Sequence, residues 1–174
     1  LGHSAGGFTA AVVAGARGDR ARVAEHCATH ASADPMCALR DPSAHMSVRA
    51  QGPRFVLPAD ASLPATSSDP RVRALVLLAP LTVPLDPASL AGLPAATLII
   101  GARRDEVLPA HFHLEPWTTM APHAQRIEHP QAGHFSFMTS VPAERRAMLG
   151  PAGADPDGFD RAEFQRELSD RVGA

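Results

Sequence analysis

Three short runs constrain what this chain can become. Residues 74–79 read Ala-Leu-Val-Leu-Leu-Ala, 96–101 read Ala-Thr-Leu-Ile-Ile-Gly, and 125–129 read Gln-Arg-Ile-Glu-His. The first two are almost wholly apolar, as strands covered on both faces must be. The third has too few apolar residues for a central place and is assigned to a sheet edge. Stretches of helical character alternate with these runs, which specifies an α/β chain with a mostly parallel sheet flanked by helices.

Helices are expected over 5–16, dense in Ala and Val, and over 19–30. The second has Asp19 as its N-cap and Ala21, Val23, Ala24, Cys27 and Ala28 in loose helical spacing. Others are expected over 111–121 and 157–172, the latter placing Phe159, Phe164, Leu168 and Val172 near one face, with a short one over 142–149. Residues 37–70 are rich in Pro, Ser, Asp and Ala without a period. They read as a long excursion, either a lid over a pocket or a solvated connection. At 174 residues and 45% hydrophobic content, with no repeat or linker, residues 1–174 read as one domain around one core.

A formal charge of -2 without blocks of like charge argues against nucleic acid or an anionic membrane as partner. No run approaches the roughly 18 apolar residues of a membrane span. A small molecule is the expected partner. The chain opens at Leu1, without Met and already inside a motif, so the first strands of the sheet are expected to be missing from it. Compartment, cytoplasmic or exported, and oligomeric state stay open. So does the state of Cys27 and Cys37, whose spacing suits neither a redox CxxC nor a zinc finger: they are a disulfide or two buried thiols.

The motif at the start is Gly2-His3-Ser4-Ala5-Gly6, which fits G-x-S-x-G. That spacing puts Ser on a sharp strand-to-helix turn with its hydroxyl in the open, and glycine is expected at both flanks because side chains there would collide with backbone. The small residues that follow suit a helix packed on a sheet, its N-terminus favouring negative charge. The Ala5 N–H is then the expected oxyanion donor, with a second donor supplied from upstream of Leu1. Such a serine needs an acid and a base, following in that order. Asp105 lies just beyond the 96–101 strand, where parallel sheets place their sites. Glu106 and Asp86 are rival acids. His134, in Gln131-Ala132-Gly133-His134-Phe135, follows the last strand and is preferred as base over His129, with Gly133 giving the loop freedom. His3 and Phe135 are the expected substrate contacts.

These residues resemble the C-terminal part of the α/β-hydrolase superfamily, and within it the predicted dienelactone hydrolase group, which is similar to the platelet-activating-factor acetylhydrolases. The likeness rests on Gly2 to Ala10, Arg73 to Pro80, Leu98 to Gly101 with Asp105-Glu106-Val107-Leu108-Pro109, Ala132 to Phe137, and Phe159-Asp160-Arg161. It implies an α/β-hydrolase fold and a serine hydrolase that cleaves a carboxylic ester through an acyl-enzyme, with Ser4, Asp105 and His134 as nucleophile, acid and base and no cofactor. Dienelactone hydrolases proper use a cysteine nucleophile, so lactone hydrolysis is not implied. Thioesterase, acyltransferase or peptidase activity on the same three residues, or a non-catalytic fragment, are the alternatives. Metal binding is a different reading: His26 and His30 stand four apart with Cys27 between them, and His111 and His113 lie further on. Four zinc ligands are not visible in this spacing, so no metal is expected.

Overall fold

The computed structural model describes residues 1–40, 68–94 and 96–173. Most of the 37–70 excursion, and with it the lid reading, lies outside the described residues. Four parallel strands, β1 (Gly2–His3), β2 (Ala74–Leu78), β3 (Ala96–Ala102) and β4 (Gln125–His129), form one sheet in the order β1-β2-β3-β4. The polar β4 stands at an edge, as its composition requires. β2 and β3 are central, and Leu75, Leu77, Leu78, Ile99 and Ile100 are all buried.

Strand alternation divides these residues between two faces. On one face Leu75, Leu77 and Ile99 meet helices α1 (Ala5–Val13), α3 (Pro87–Leu90), α4 (Ala110–His113) and α5 (Trp117–Met120), through Ala11, Leu90, Ala110 and Trp117. This arrangement follows from the topology: strands added successively in one direction by right-handed crossovers put the helices that pack on the sheet between them on the same face. On the other face Ala102 packs with Ala132 and Phe164 of α7 (Arg161–Gly173). A third, smaller apolar cluster brings Val23 and Cys27 of α2 (Arg20–His30) and Met36 and Cys37 of a 3-10 turn (Pro35–Arg40) against Leu81, Val83, Val107 and Leu108. It covers the loops that leave β2 and β3.

Helix ends differ from the sequence expectation for local reasons. Asp19 caps α2 as expected, its carboxylate accepting the Ala21 N–H at 2.8 Å. Ala21, Ala24 and Ala28 of that helix, however, are exposed. α1 stops at Val13 rather than residue 16 because Gly15 takes φ +117°, a left-handed conformation that ends a helix. The single helix expected over 111–121 is two helices. Pro116 lacks an N–H to bond backwards and biases Glu115 away from helical geometry, so α4 closes and α5 restarts at Trp117. α7 begins at Arg161, not 157, because the Asp160 side chain accepts the Glu163 N–H at 3.0 Å. Phe159 thus stands outside the helix but still packs on Phe164. α6 (Ala143–Leu149) matches its expectation within a residue. Cys27 and Cys37 form a disulfide. Among the described residues no helix is long and apolar enough to cross a membrane.

Candidate active site

Ser4 sits between β1 and α1 with φ 56° and ψ -123°, a conformation sparsely populated by any residue except glycine and costing on the order of 1–3 kcal/mol. Four backbone hydrogen bonds hold it there: the Ser4 N–H donates to the Leu78 carbonyl at 3.0 Å, and the Ser4 carbonyl accepts from Leu81 at 3.1 Å, from Gly7 at 2.9 Å and from Phe8 at 3.3 Å. The turn is therefore pinned to the end of β2 and to the first turn of α1. Ala79, directly after β2, also has a positive φ of 40°, so both chain segments at this sheet end are strained.

The two flanking glycines are not equivalent. A Cβ on Gly2 would fall 2.1 Å from the Gly6 carbonyl oxygen, whereas a Cβ on Gly6 would meet nothing within 4 Å. The second close approach is at Gly7, whose Cβ would lie 3.0 Å from Pro80. Glycine is thus required at Gly2 and tight at Gly7, and the expectation for Gly6 is corrected: that position is already on the exposed side of α1. Gly2→Ala should destabilise by about 3 kcal/mol or more, a drop of roughly 6–12 °C in Tm for a chain of this size. Gly6→Ala should change stability by less than about 1 kcal/mol. Thermal unfolding followed by circular dichroism checks the pair, and equal losses would contradict the geometry.

Asp105 and His134 converge on Ser4. His134 Nδ1 lies 2.8 Å from Asp105 Oδ2, and His134 Nε2 lies 2.9 Å from Ser4 Oγ. A carboxylate on Nδ1 holds the ring proton there, leaving Nε2 to accept from the serine hydroxyl. The Asp105 and His134 side chains are each only 3% exposed. Asp105 is fixed from behind, because its Oδ1 accepts the Val107 and Leu108 N–H groups at 2.9 and 2.6 Å. His134 opens a 3-10 turn (His134–Phe137) that follows β4. Its own N–H donates to Glu106 Oε2 at 3.0 Å.

The rival residues have other work. Glu106 holds the His134 backbone instead of its ring. Asp86 caps α3 through the Ala88 N–H and pairs with Arg17 at 2.6 Å. His129 Nδ1 accepts the Gln131 and Ala132 N–H groups, and its ring packs edge-on to Phe159 and Phe164. Gly133 has an ordinary φ of -100°, so loop freedom is not its role. A Cβ there would come within 2.8 Å of Glu106 Oε2 and 3.3 Å of Pro156. Glycine leaves room for the Glu106 contact.

His3 is half-buried and supports the base. Its Nε2 lies 3.0 Å from the His134 carbonyl, and its ring stacks against His134 and Phe137 with centroids 4.8 and 5.7 Å apart. Phe135 meets the His134 ring edge-on at 5.2 Å. Burial lowers the His3 pKa from its ordinary 6.5, and a charge on His134 pushes the same way; the hydrogen bond to the His134 carbonyl and the charge of Asp105 oppose them without cancelling the shift. An imidazole held below 6.5 protonates first in the unfolded chain. Its contribution to stability is thus complete above about pH 6.5 and is lost as pH falls through the lower folded value. Replacing His3 with glutamine, whose amide can still donate to the His134 carbonyl, should flatten that part of the curve by at most one proton, about 1.4 kcal/mol per pH unit. Urea midpoints between about pH 7.5 and 5 read this directly, and an unchanged slope would rule His3 out.

One buried polar network escaped sequence reasoning. Asp34, fully buried, joins His26 and His113, and through His113 reaches Thr82 and Trp117. Asp34 and His113 are 79 residues apart, and no local spacing links them. Compared with family models, with curated proteins and with solved structures, the chain matches none of them.

Proposed function

We propose that this chain is a serine hydrolase of the α/β-hydrolase type that cleaves a carboxylic ester of a small molecule through an acyl-enzyme intermediate. The observation that carries the reading is the continuous hydrogen-bonded line Asp105–His134–Ser4, ending on a serine held in a strained strand-to-helix turn. Strain of this kind persists where surrounding structure enforces it and clusters at reactive sites.

His134 Nε2 takes the hydroxyl proton as Ser4 Oγ attacks the ester carbonyl, and Asp105 keeps the imidazole in the tautomer that makes this possible. The protonated imidazole then donates to the departing alcohol. Water attacks the acyl group by the same route in reverse, restoring Ser4. The Ala5 N–H stands at the first position of α1, where no preceding helical turn supplies an acceptor. It is the proposed donor to the developing oxyanion, an interaction worth about 10² to 10³ in rate. His3 and Phe135, packed around the His134 ring, border the space a substrate would enter. A fluorophosphonate reagent should label Ser4 and leave a Ser4→Ala chain unlabelled, with the modified peptide identified by mass spectrometry. Labelling elsewhere, or none, would overturn the reading.

A further inference from the structure

Away from Ser4, the Cys27–Cys37 disulfide lies beside the Asp34 network. Asp34 Oδ2 is shared by His26 Nε2 at 2.7 Å and His113 Nε2 at 3.0 Å, while Oδ1 accepts the Met36 N–H at 3.0 Å. The Thr82 N–H donates to His113 Nδ1 at 3.1 Å, so the His113 proton is on Nε2, directed at Asp34. An anionic carboxylate without solvent exposure calls for a cation or a full set of donors. The potential ligand atoms of His26, Asp34 and Cys37 all lie within 4.8 Å of one another. Cys27 Sγ is not within that mutual distance, but its bond to Cys37 Sγ sets it directly beside the three, so reduction frees a second sulfur next to them.

We propose that reduction of the Cys27–Cys37 disulfide converts this corner into a site for one Zn²⁺, bound by Cys27 Sγ, Cys37 Sγ, His26 Nε2 and Asp34 Oδ2. A dithiol reductant supplies two electrons and two protons, giving two cysteine thiols and closing its own disulfide. Zinc then displaces both thiol protons to solvent, and the His26 proton that faced Asp34 is relocated from Nε2 to Nδ1 so that the Nε2 lone pair can ligate. Tetrahedral bonds of about 2.0 to 2.3 Å separate neighbouring ligand atoms by roughly 3.2 to 3.8 Å. His26 and Asp34 therefore open by about half an ångström and Cys37 closes on them. His113 is a positioning residue: its Nε2–H, fixed by the Thr82 N–H, holds the ligating carboxylate from behind. An open cavity of about 410 Å³, lined by His26, His30, His111 and Phe112 among others, reaches the site at His26. His30, the i+4 partner of His26, is not part of the ligand set. Disulfide and zinc would staple α2 to the Pro35–Arg40 turn in turn, according to redox state.

The test is titration with Co²⁺ of the whole chain, oxidised and, after dithiol treatment and anaerobic desalting, reduced. The reduced chain should take up one Co²⁺ with thiolate-to-cobalt charge-transfer absorption and tetrahedral d–d bands, lost on adding one equivalent of Zn²⁺. The oxidised chain should show neither. His26→Asn and Asp34→Asn should each weaken binding at least about tenfold. His113→Gln should weaken it about 10- to 100-fold while leaving the charge-transfer intensity per bound metal unchanged. X-ray absorption on the zinc-loaded wild-type chain reads the ligands without any variant, and two sulfur and two nitrogen or oxygen neighbours are expected. Any other ligand set, equal binding by the oxidised chain, or affinity indifferent to His26 and Asp34 overturns the proposal. So does a reduced chain that unfolds and does not regain its circular dichroism with zinc.

Discussion

Replacing Ser4 with alanine should lower kcat/KM for a p-nitrophenyl ester by about 10⁵- to 10⁶-fold, because without its nucleophile a serine hydrolase keeps only binding and oxyanion stabilisation. The substitution removes one oxygen atom and leaves the turn's backbone hydrogen bonds to Leu78 and Leu81. Stability should therefore change little, and circular dichroism and Tm provide the control. A folded Ser4→Ala chain that turned over the ester at the parental rate would sink the proposed function.

Asp105→Asn is the second large effect, expected at about 10⁴-fold in kcat. Its cause is a tautomer. Asp105 Oδ1 accepts two backbone N–H groups, from Val107 and Leu108, so an asparagine would place its carbonyl oxygen there and turn its NH₂ toward His134 Nδ1. The NH₂ donates, Nδ1 must accept, and the ring proton moves to Nε2, where it faces Ser4 Oγ. The base then has no lone pair for the serine proton. NMR of the His134 ring nitrogens should show protonation moving from Nδ1 to Nε2, together with the loss of rate. Retained activity with an unmoved proton would mean that Asp105 does not orient this base.

Much of the scaffold was legible in order of residues alone. The buried strands β2 and β3 were found as near-continuous apolar runs, and β4 was placed at an edge because it has too few apolar residues to be covered twice. Asp19 was readable as a cap because capping acts over two or three residues. The helices depart from their sequence pattern where a single residue interrupts it. Gly15 ends α1, Pro116 splits the helix expected over 111–121, and Asp160 delays α7; each is a local stop signal lying inside an otherwise helical stretch.

The candidate site divides along the same line. The order Ser4, Asp105, His134 and the strand ends that carry them were determined by sequence, since strand, turn and helix signals are local. Which carboxylate meets the imidazole was not: Asp105 and Glu106 are adjacent, and only the folded loop sends one to the His134 ring and the other to its backbone N–H. Likewise the expectation of two glycines in a tight turn was half right, because whether a Cβ fits depends on what approaches it in space. The Asp34–His26–His113 cluster lay beyond sequence altogether, and for Cys27 and Cys37 sequence left a disulfide and two buried thiols as equal alternatives. Their partners are set by how α2 and the Pro35–Arg40 turn pack over the ends of β2 and β3, and side-chain contact across 79 residues is decided by tertiary packing rather than by any periodicity along the chain.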